Sequence, residues 1–405
     1  MTGCPHFPFP VPSDPLDITD EARRLQDAAP LSKVALPPGQ DDTEAWFVTG
    51  HAEALRVYRD AETFERRSAD GVLPFLAAYP VIVALDGEHH RRVRGLVQNG
   101  FAPARVQRLR PEIEDLAAGL VDEMVLAGEP ADLGDAFAVP LTLHVIARMF
   151  DLPKSDYERF QGWADTLATA DVSTAAQAQE AMQAMVGYAA ALLPERAADP
   201  GDDLLSLVAV NAQANGVDAF EAALLAASLV VAGWESTPAA LVSSVHRLLI
   251  TDGGDGRSLY ARLCDEPGLI PTAVEEMLRI VPNSVLGAAN PRRATHDIEL
   301  GGVLVRAGEL CIPAPDSAAR DASAFTDPER VDLARSPNPH LAFGNGPHVC
   351  VGAPAARMEL QVALETLTSR LPDLRLAVPA EDLEWPFDRG VARRPARYPV
   401  AWTAH

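Results

Sequence analysis

The sequence contains few lysines and few cysteines, and both scarcities limit what the protein can be. Nearly all of the basic charge is arginine, because the only lysines are Lys33 and Lys154. The cysteines are far apart and include no C-x-x-C pair, so the sequence indicates neither a disulfide framework, a zinc site nor an iron–sulfur cluster. Three of them are expected to be ordinary structural thiols, namely Cys4, Cys264 and Cys311.

Long charge-free apolar runs and linkers are also lacking. No run of about eighteen apolar residues without a charge occurs, and residues 1–15 lack the basic-then-apolar pattern of a signal peptide. We therefore expect a cytoplasmic protein that does not span a membrane. No linker or repeat divides the chain, which favours one large domain, 1–405, whose segment 1–43 is partly irregular. The net charge of −23 argues against nucleic acid as a partner.

Apolar residues recur with helical spacing over most of the chain. Their share of 48%, against 22% charged residues, is enough to build a sizeable core. Helices are predicted over residues 51–59, 105–127, 140–150, 156–167, 175–193, 202–211, 218–250 and 272–280, and a further helix begins at residue 353. Short strands are predicted over residues 45–49, 298–305 and 397–402. The expected fold class is mainly α with small β-sheets.

The most informative segment runs from Phe343 to Gly352 and reads FGNGPHVCVG. Its glycines allow positive φ angles and a close approach to a flat ligand, and its backbone amides can temper the charge of a thiolate. His348 can donate to an anionic group at the edge of that ligand. The helix that begins at Ala353 would favour the thiolate form of Cys350. The segment therefore predicts a loop that presents Cys350 to a metal.

This loop resembles the haem-ligating loop of the cytochrome P450 family, Phe-Gly-x-Gly-x-His/Arg-x-Cys-x-Gly. The resemblance implies the family's fold, with haem between a long central helix and the cysteine loop. It makes Cys350 the thiolate ligand of haem b, a ligand that favours O–O cleavage with O₂ as co-substrate. It also assigns haem-binding roles to Phe343, Gly344, His348 and Gly352.

Further matches to the family concern the haem propionates. His90 and Arg94 are four residues apart, so both project from one face of a helix. The resemblance makes them propionate ligands, whereas an ordinary surface pair is the alternative. Arg292 matches another propionate-binding arginine, and the adjacent Arg293 is the second choice.

Glu276 and Arg279 match the structural Glu-x-x-Arg pair of the family. A glutamate and an arginine three residues apart on a helix can form a buried ion pair. The resemblance implies that this pair braces the haem core, with Arg330 as a third partner.

Residues 218–250 predict one long helix that opens near its middle. Asp218 is a good N-cap. Pro238 cannot donate to the carbonyl of Trp234, which weakens the helix at this point. Ser236 can instead hydrogen-bond to the carbonyl of Ala232.

The same stretch matches the family's oxygen-activation motif, Ala-Gly-x-Asp/Glu-Thr-Thr. The resemblance makes Glu235 the acid of a proton relay, although a structural salt bridge is the alternative for this residue. Ser236 stands where the family usually has threonine, and serine keeps the hydroxyl but lacks the methyl that restricts its rotamer. Thr237 is a weaker candidate, because it would serve only after a shift of the helix.

The resemblance implies a monooxygenase that hydroxylates or epoxidises a bulky secondary metabolite. Electrons would come from a ferredoxin and an NAD(P)H-dependent ferredoxin reductase, and the protein is expected to be a monomer. A basic cluster is a candidate dock for the ferredoxin, with a solvated helix face as the alternative. It consists of Arg91, Arg92, Arg94, Arg105, Arg108 and Arg110, and Arg357 is added by the resemblance.

The resemblance to the family also suggests residues that line the substrate pocket, many of them small. They are Phe75, Tyr79, Ile82, Ser228, Val231, Ala232, Gly287, Ala288, Val391 and Ala392. A pocket with small side chains favours a bulky polycyclic, macrocyclic or peptide-derived substrate, which a carrier protein could deliver. Three other functions stay open: oxidative C–C or C–N coupling without oxygen insertion, a haem-based sensor or binding module, and a partner-recruiting scaffold.

Overall fold

Helices make up most of the described chain, which covers residues 4–37, 42–66, 82–168, 174–283, 291–387 and 392–403 of a computed structural model. The helices are α1 (Asp20–Ala28), α2 (His51–Arg59), α3 (Gly87–Gly95), α4 (Pro103–Gln107), α5 (Arg110–Ala127), α6 (Val139–Phe150), α7 (Tyr157–Ala168), α8 (Ala175–Ala198), α9 (Leu204–Asn215), α10 (Ala219–Trp234), α11 (Ser236–Ile250), α12 (Leu259–Asp265), α13 (Ile270–Ile280), α14 (Pro315–Ala318) and α15 (Ala353–Arg370). The strands are β1 (Leu31–Ala35), β2 (Glu44–Val48), β3 (Phe64–Glu65), β4 (Ala131–Asp132), β5 (Arg292–Ala294), β6 (Ile298–Leu300), β7 (Val303–Val305), β8 (Leu310–Pro313), β9 (Arg375–Leu376) and β10 (Pro399–Ala401). The mainly α fold class with small sheets is confirmed.

The chain divides into two compact units, each made of two segments. The first consists of Met1–Arg91 and Glu275–Cys350, and the second of Arg92–Val274 and Val351–His405. A single domain over the whole chain stays a prediction. The N-terminal segment, expected to be partly irregular, contains α1 and β1.

The first unit contains a five-stranded sheet in the order β1-β2-β8-β5-β3. β1 and β2 are antiparallel, whereas β2 and β8 are parallel and place Trp46 opposite Cys311. Side chains of β8 alternate between two apolar clusters, because successive strand residues point to opposite faces. Ile312 packs with Phe47 in one cluster, and Cys311 packs with Tyr58 in the other. Burial raises the pKa of Cys311 to about 12, as expected for a structural thiol.

The second unit is mostly helical, with one small sheet in the order β4-β10-β9. Asp218 caps α10 as predicted, since its Oδ1 accepts from the amides of Phe220 at 2.9 Å and Glu221 at 3.0 Å. The helical stretch Ala219–Ile250 is long and apolar enough to cross a membrane by composition alone. However, 61% of its most apolar window is buried within the protein, which is typical of a core helix.

The predicted opening of the long helix lies at Glu235, where α10 ends and α11 begins. Pro238 falls in the first turn of α11, where its missing N–H costs little. The predicted helix 105–127 is likewise two helices, α4 and α5, and Pro111 lies in the first turn of the second. The predicted strand 298–305 is a hairpin of β6 and β7.

Candidate active site

The loop that ends at Cys350 is closed by its own backbone. The amide of Cys350 donates to the carbonyl of Phe343 at 2.9 Å. Between them, Gly346–His348 form a 3₁₀ turn, and the side chain of Asn345 accepts from the amide of Gly346. Cys350 is exposed at the end of this turn. Its own amide is therefore committed to the loop rather than directed at the sulfur, and its thiol is accessible to a ligand.

Two of the three predicted glycines have a conformational reason to be glycine. Gly344 and Gly346 have φ angles of 67° and 70°, a region that other residues rarely adopt. A Cβ on Gly346 would also lie 2.5 Å from the carbonyl oxygen of Tyr58. Gly352 differs, because it has φ −79° and forms the N-cap position of α15.

Arg292 on β5 lies in a buried, positively charged cluster of the first unit. Only 2% of Arg292 is exposed, and burial lowers its pKa to about 10, against the opposing effects of Tyr58 and Asp86. Burial and the charge of Arg292 together hold the pKa of Arg66 well below its usual value. Burial also lowers the pKa of His348, whose Nε2 lies 3.4 Å from Oδ1 of Asp86. The charge of Arg292 contributes to lowering the pKa of both Arg66 and His348, and such a site favours an anionic ligand.

His90 belongs to the same cluster. It is 2% exposed, and its ring lies 4.0 Å from that of His348, measured between centroids. Arg94 lies one turn further along α3, as predicted. The sequence reasoning missed Arg66 and Asp86. Asp86 directly precedes α3 and lies four residues before His90, so helical spacing could have suggested it, whereas Arg66 belongs to no such pattern.

This donor set fits haem. An accessible thiol can ligate iron, and the buried cations of the first unit suit the two propionate carboxylates. Arg293, the second choice for a propionate ligand, does not belong to the set. Its guanidinium pairs with Asp42 at 2.7 Å and donates to the carbonyl of Gly308.

The Glu276–Arg279 pair forms as predicted, but its third partner is different. Arg279 and Glu276 are fully buried and lie 2.7 Å apart. Arg335, rather than Arg330, makes the second ion pair with Glu276, at 3.0 Å. The side chain of Arg330 was the wrong choice, since this residue is exposed and contributes only its carbonyl oxygen, to Arg279 and Arg335.

The helix break in the second unit has the predicted local geometry. Ser236 Oγ donates to the carbonyl of Ala232 at 2.8 Å. Glu235 does form a salt bridge, with Arg394 Nε at 3.0 Å from its Oε1. Thr237 is 8% exposed. The hydroxyl of Ser236 and the carboxylate of Glu235 thus lie on neighbouring residues of the break.

The structure describes five of the ten residues predicted to line the substrate pocket. Ser228, Val231 and Ala232 lie on one face of α10 and are only partly buried or exposed, whereas residues 222–227 are buried. The hydroxyl of Ser228 donates to the carbonyl of Leu225 at 2.8 Å. Ile82 lies in a 3₁₀ turn and Ala392 is 9% exposed. Five predicted pocket residues fall outside the described ranges: Phe75, Tyr79, Gly287, Ala288 and Val391.

Three arginines of the predicted ferredoxin dock have acidic partners within the second unit. Arg105 lies 2.8 Å from Asp202, and Arg108 lies 3.4 Å from the same carboxylate. Arg110 pairs with Glu114 and Glu365. Arg91 and Arg92 are exposed.

Comparison with known proteins identifies the family. The profile of the family "Cytochrome P450" matches residues 267–400. Nocardicin C N-oxygenase of Nocardia uniformis subsp. tsuyamanensis is 39% identical over 99% of this chain and 99% of its own length. Mycinamicin IV hydroxylase/epoxidase of Micromonospora griseorubida is 39% identical over 93% of this chain and 94% of its own.

A solved structure agrees with these relatives. The LnmA cytochrome P450 hydroxylase from the leinamycin biosynthetic pathway of Streptomyces atroolivaceus S-140 is 36% identical, with a TM-score of 0.88 over 98% of this chain and 100% of its own. The chain therefore belongs to the cytochrome P450 family of haem-thiolate enzymes, which use O₂ as co-substrate.

Proposed function

We propose that this protein is a monooxygenase that inserts oxygen into a bulky secondary metabolite, with Cys350 as the thiolate ligand of its haem. The observation that carries this proposal is the exposed thiol of Cys350 at the end of a loop closed by the Cys350–Phe343 hydrogen bond. Bound haem supplies the iron that activates O₂. A sensor or a scaffold would have no need for the relay residues at Glu235 and Ser236.

Hydrogen-bond donors of buried and half-buried side chains hold the cofactor in this proposal. Arg292, His90 and His348 donate to the propionates, and Arg94 on the same helix as His90 adds a further donor. Arg66 lies close enough to Arg292 for the charge of Arg292 to lower its pKa, so we add Arg66 to this group. Charge-assisted hydrogen bonds of this kind fix both the position and the orientation of a carboxylate.

Ser236 and Glu235 deliver protons in this proposal. The hydroxyl of Ser236 is fixed by its bond to Ala232, and Glu235 supplies protons to it through water. Thr237 has a lower rank, because it is buried in the first turn of α11.

Electrons come from separate proteins, as they do in the family generally, and we propose a ferredoxin and an NAD(P)H-dependent ferredoxin reductase in the cytoplasm. Arg91 and Arg92, which are exposed, are the proposed dock, and Arg357 is kept as a candidate from the resemblance. Arg105, Arg108 and Arg110 are weaker candidates than the sequence implied, since their charges are offset by neighbouring carboxylates. We further propose that the protein acts as a monomer.

The substrate is proposed to be a macrocyclic, polycyclic or peptide-derived metabolite. Two relatives are named for the oxygenation of nocardicin C and mycinamicin IV. Small side chains on one face of α10, at Ser228 and Ala232, leave room for such a molecule.

A spin-state titration of the purified ferric protein tests this proposal. The panel contains nocardicin C, mycinamicin IV, other macrolides and cyclic dipeptides. We expect a saturable change of the haem absorption with at least one of them, because the absorption of bound haem would respond to a substrate that binds beside it. No change with any compound, from a protein whose ferrous–CO spectrum still shows thiolate ligation, would point to a substrate outside the panel or to one delivered on a carrier protein.

Oxidative coupling is kept as a second function because Ser236 replaces the usual threonine. Turnover of the identified substrate under isotopically labelled O₂ separates the two. A monooxygenase places the label in the product, whereas a coupling enzyme leaves the product unlabelled. Cys350→Ser is the control, since it should lose the thiolate signature and turnover together.

A further inference from the structure

Three consecutive side chains at the helix break each make a hydrogen bond to a different part of the second unit. Trp234 Nε1 donates to Oδ1 of Asp165 at 2.9 Å, and Ser236 Oγ donates to the carbonyl of Ala232. Between them, Glu235 accepts from Arg394 Nε at 3.0 Å. The carboxylate to which we assign proton delivery is thus held by an arginine that no family motif marked.

The Glu235–Arg394 pair is well shielded from water. Only 18% of the Glu235 side chain and 23% of the Arg394 side chain are exposed. A charge-assisted hydrogen bond is stronger in such a setting than at an open surface, where screening and side-chain freedom reduce its value. The pair can therefore keep the carboxylate in one orientation.

Arg394 is itself placed by contacts of its own segment. The carbonyl of the preceding residue, Arg393, accepts from Ser243 Oγ at 2.8 Å, and Ser243 is fully buried in α11. The Arg393 guanidinium lies 5.3 Å from the ring centre of Phe387. Two residues after Arg394, the amide of Ala396 donates to the carbonyl of Glu384 at 2.8 Å. The segment 393–396 is therefore anchored to α11, the helix that begins at Ser236.

We propose that Arg394 is a positioning residue for Glu235, holding its carboxylate in the orientation from which it passes protons to Ser236. The inference depends on the proposed function only in its use of Glu235 as the relay acid. Without the guanidinium, the carboxylate can rotate at the break, so protons reach the activated oxygen less regularly. Oxygen that takes up two electrons and two protons without cleavage of its O–O bond leaves as hydrogen peroxide.

Peroxide formation without an organic substrate provides the test. NADPH, a heterologous ferredoxin and its reductase drive the holoenzyme. Each O₂ then takes up either two electrons and two protons to give H₂O₂, or four of each to give water. Since NADPH supplies two electrons, the ratio of peroxide to NADPH reports the balance between the two routes.

We expect Glu235→Gln and Arg394→Gln each to shift this ratio towards one peroxide per NADPH. The double variant should go no further than Glu235→Gln alone, because Arg394 acts through Glu235. Arg394→Lys should restore most of the wild-type ratio. Arg397→Gln is the matched control, since it removes an arginine of the same segment whose side chain is 83% exposed and lies 3.5 Å from Asp132.

An infrared difference spectrum gives a readout that does not depend on turnover. The carboxylate band of Glu235 is assigned by its loss in Glu235→Gln. This band should shift in Arg394→Gln and stay in place in Arg397→Gln. Arg394→Lys, which retains a cation, serves in place of Arg394→Gln if the latter does not fold, and should shift the band by a smaller amount.

The outcomes distinguish this inference from the proposed function. A wild-type ratio and an unmoved band in Arg394→Gln, with both altered in Glu235→Gln, would overturn the role of Arg394 alone. Additive effects in the double variant would show that Arg394 acts elsewhere. An unchanged ratio in Glu235→Gln would remove the relay role of Glu235, and the role of Arg394 with it.

Discussion

Thr142 on α6 donates a hydrogen bond to the carboxyl group of Glu359 on α15, and both residues are buried. Burial raises the pKa of Glu359 to about 7, although the hydrogen bond from Thr142 opposes the rise. In the unfolded chain this carboxyl group has its ordinary pKa of 4.5. Glu359 is therefore protonated in the folded protein over a pH range in which the unfolded chain has lost the proton.

We expect Glu359 to make the stability of the protein depend on pH. Its contribution is fully present below pH 4.5 and is lost as the pH rises through about 7, because the folded state binds the extra proton. The total loss is about 3 kcal/mol. Glu359→Gln cannot titrate, so its urea midpoint should fall less than that of the wild type between about pH 5 and pH 8.

A second variant separates this effect from simple damage to the core. Thr142→Val removes the hydrogen bond that holds the pKa of Glu359 down. Thr142→Val should therefore extend the pH-dependent loss of stability to higher pH. Parallel curves of urea midpoint against pH for the wild type and Glu359→Gln would show that Glu359 is ionised in the folded protein.

The ion-pair network around Glu276 predicts a large difference in stability between the variants Glu276→Gln and Arg330→Ala. Glu276→Gln leaves the buried guanidiniums of Arg279 and Arg335 without their carboxylate, which should cost about 3–5 kcal/mol. Arg330→Ala should change stability by no more than about 0.5 kcal/mol, because its carbonyl remains. Thermal unfolding of the holoenzyme measures both, and a large loss in Arg330→Ala would restore Arg330 as the third partner.

Haem retention tests the cations assigned to the propionates. Arg66→Gln and Arg292→Gln should each accelerate haem transfer to apomyoglobin by roughly 10- to 100-fold, since a hydrogen bond to a charged group contributes about 1.5–3 kcal/mol. Arg293→Gln is the control, because its guanidinium pairs with Asp42. A wild-type rate of haem transfer in Arg66→Gln would remove Arg66 from the residues assigned to the propionates.

Alanine substitutions of Gly344 and Gly346 in the Cys350 loop should differ in their effect on haem content. Both have positive φ, so each substitution costs about 1–2 kcal/mol of backbone strain. Only Gly346→Ala also places a Cβ 2.5 Å from the carbonyl oxygen of Tyr58, whereas the nearest atoms to a Cβ on Gly344 lie at 3.9 Å. Gly346→Ala should therefore purify with much less haem than Gly344→Ala, as judged by the ratio of haem to protein absorbance. Equal haem contents would contradict the close approach to Tyr58.

Features that depend on residues a few positions apart could be predicted from the sequence. The cap at Asp218 and the bond from Ser236 to Ala232 follow from local rules, and both form as expected. The Glu276–Arg279 pair is local in the same sense. The loop at Cys350 carried a dense motif, which made the family recognisable.

Features that depend on distant residues could not be predicted. Arg394 is 159 residues from Glu235 in the chain, and no periodicity links the two positions. The path of an irregular segment decides that Arg335, and not Arg330, pairs with Glu276. This path turns the side chain of Arg335 towards Glu276, whereas Arg330 contributes only its carbonyl oxygen. Arg66 follows a two-residue strand, and such a short element has no pattern of its own.

The order of strands in the first unit has a consequence for synthesis on the ribosome. β2 ends at Val48, but its parallel neighbour β8 begins only at Leu310. At about 5–20 residues per second, the edge of β2 waits roughly 13–50 seconds for its partner. During that interval the nascent chain exposes an unpaired, largely apolar strand edge, which is a site for chaperone capture or for pairing with another chain.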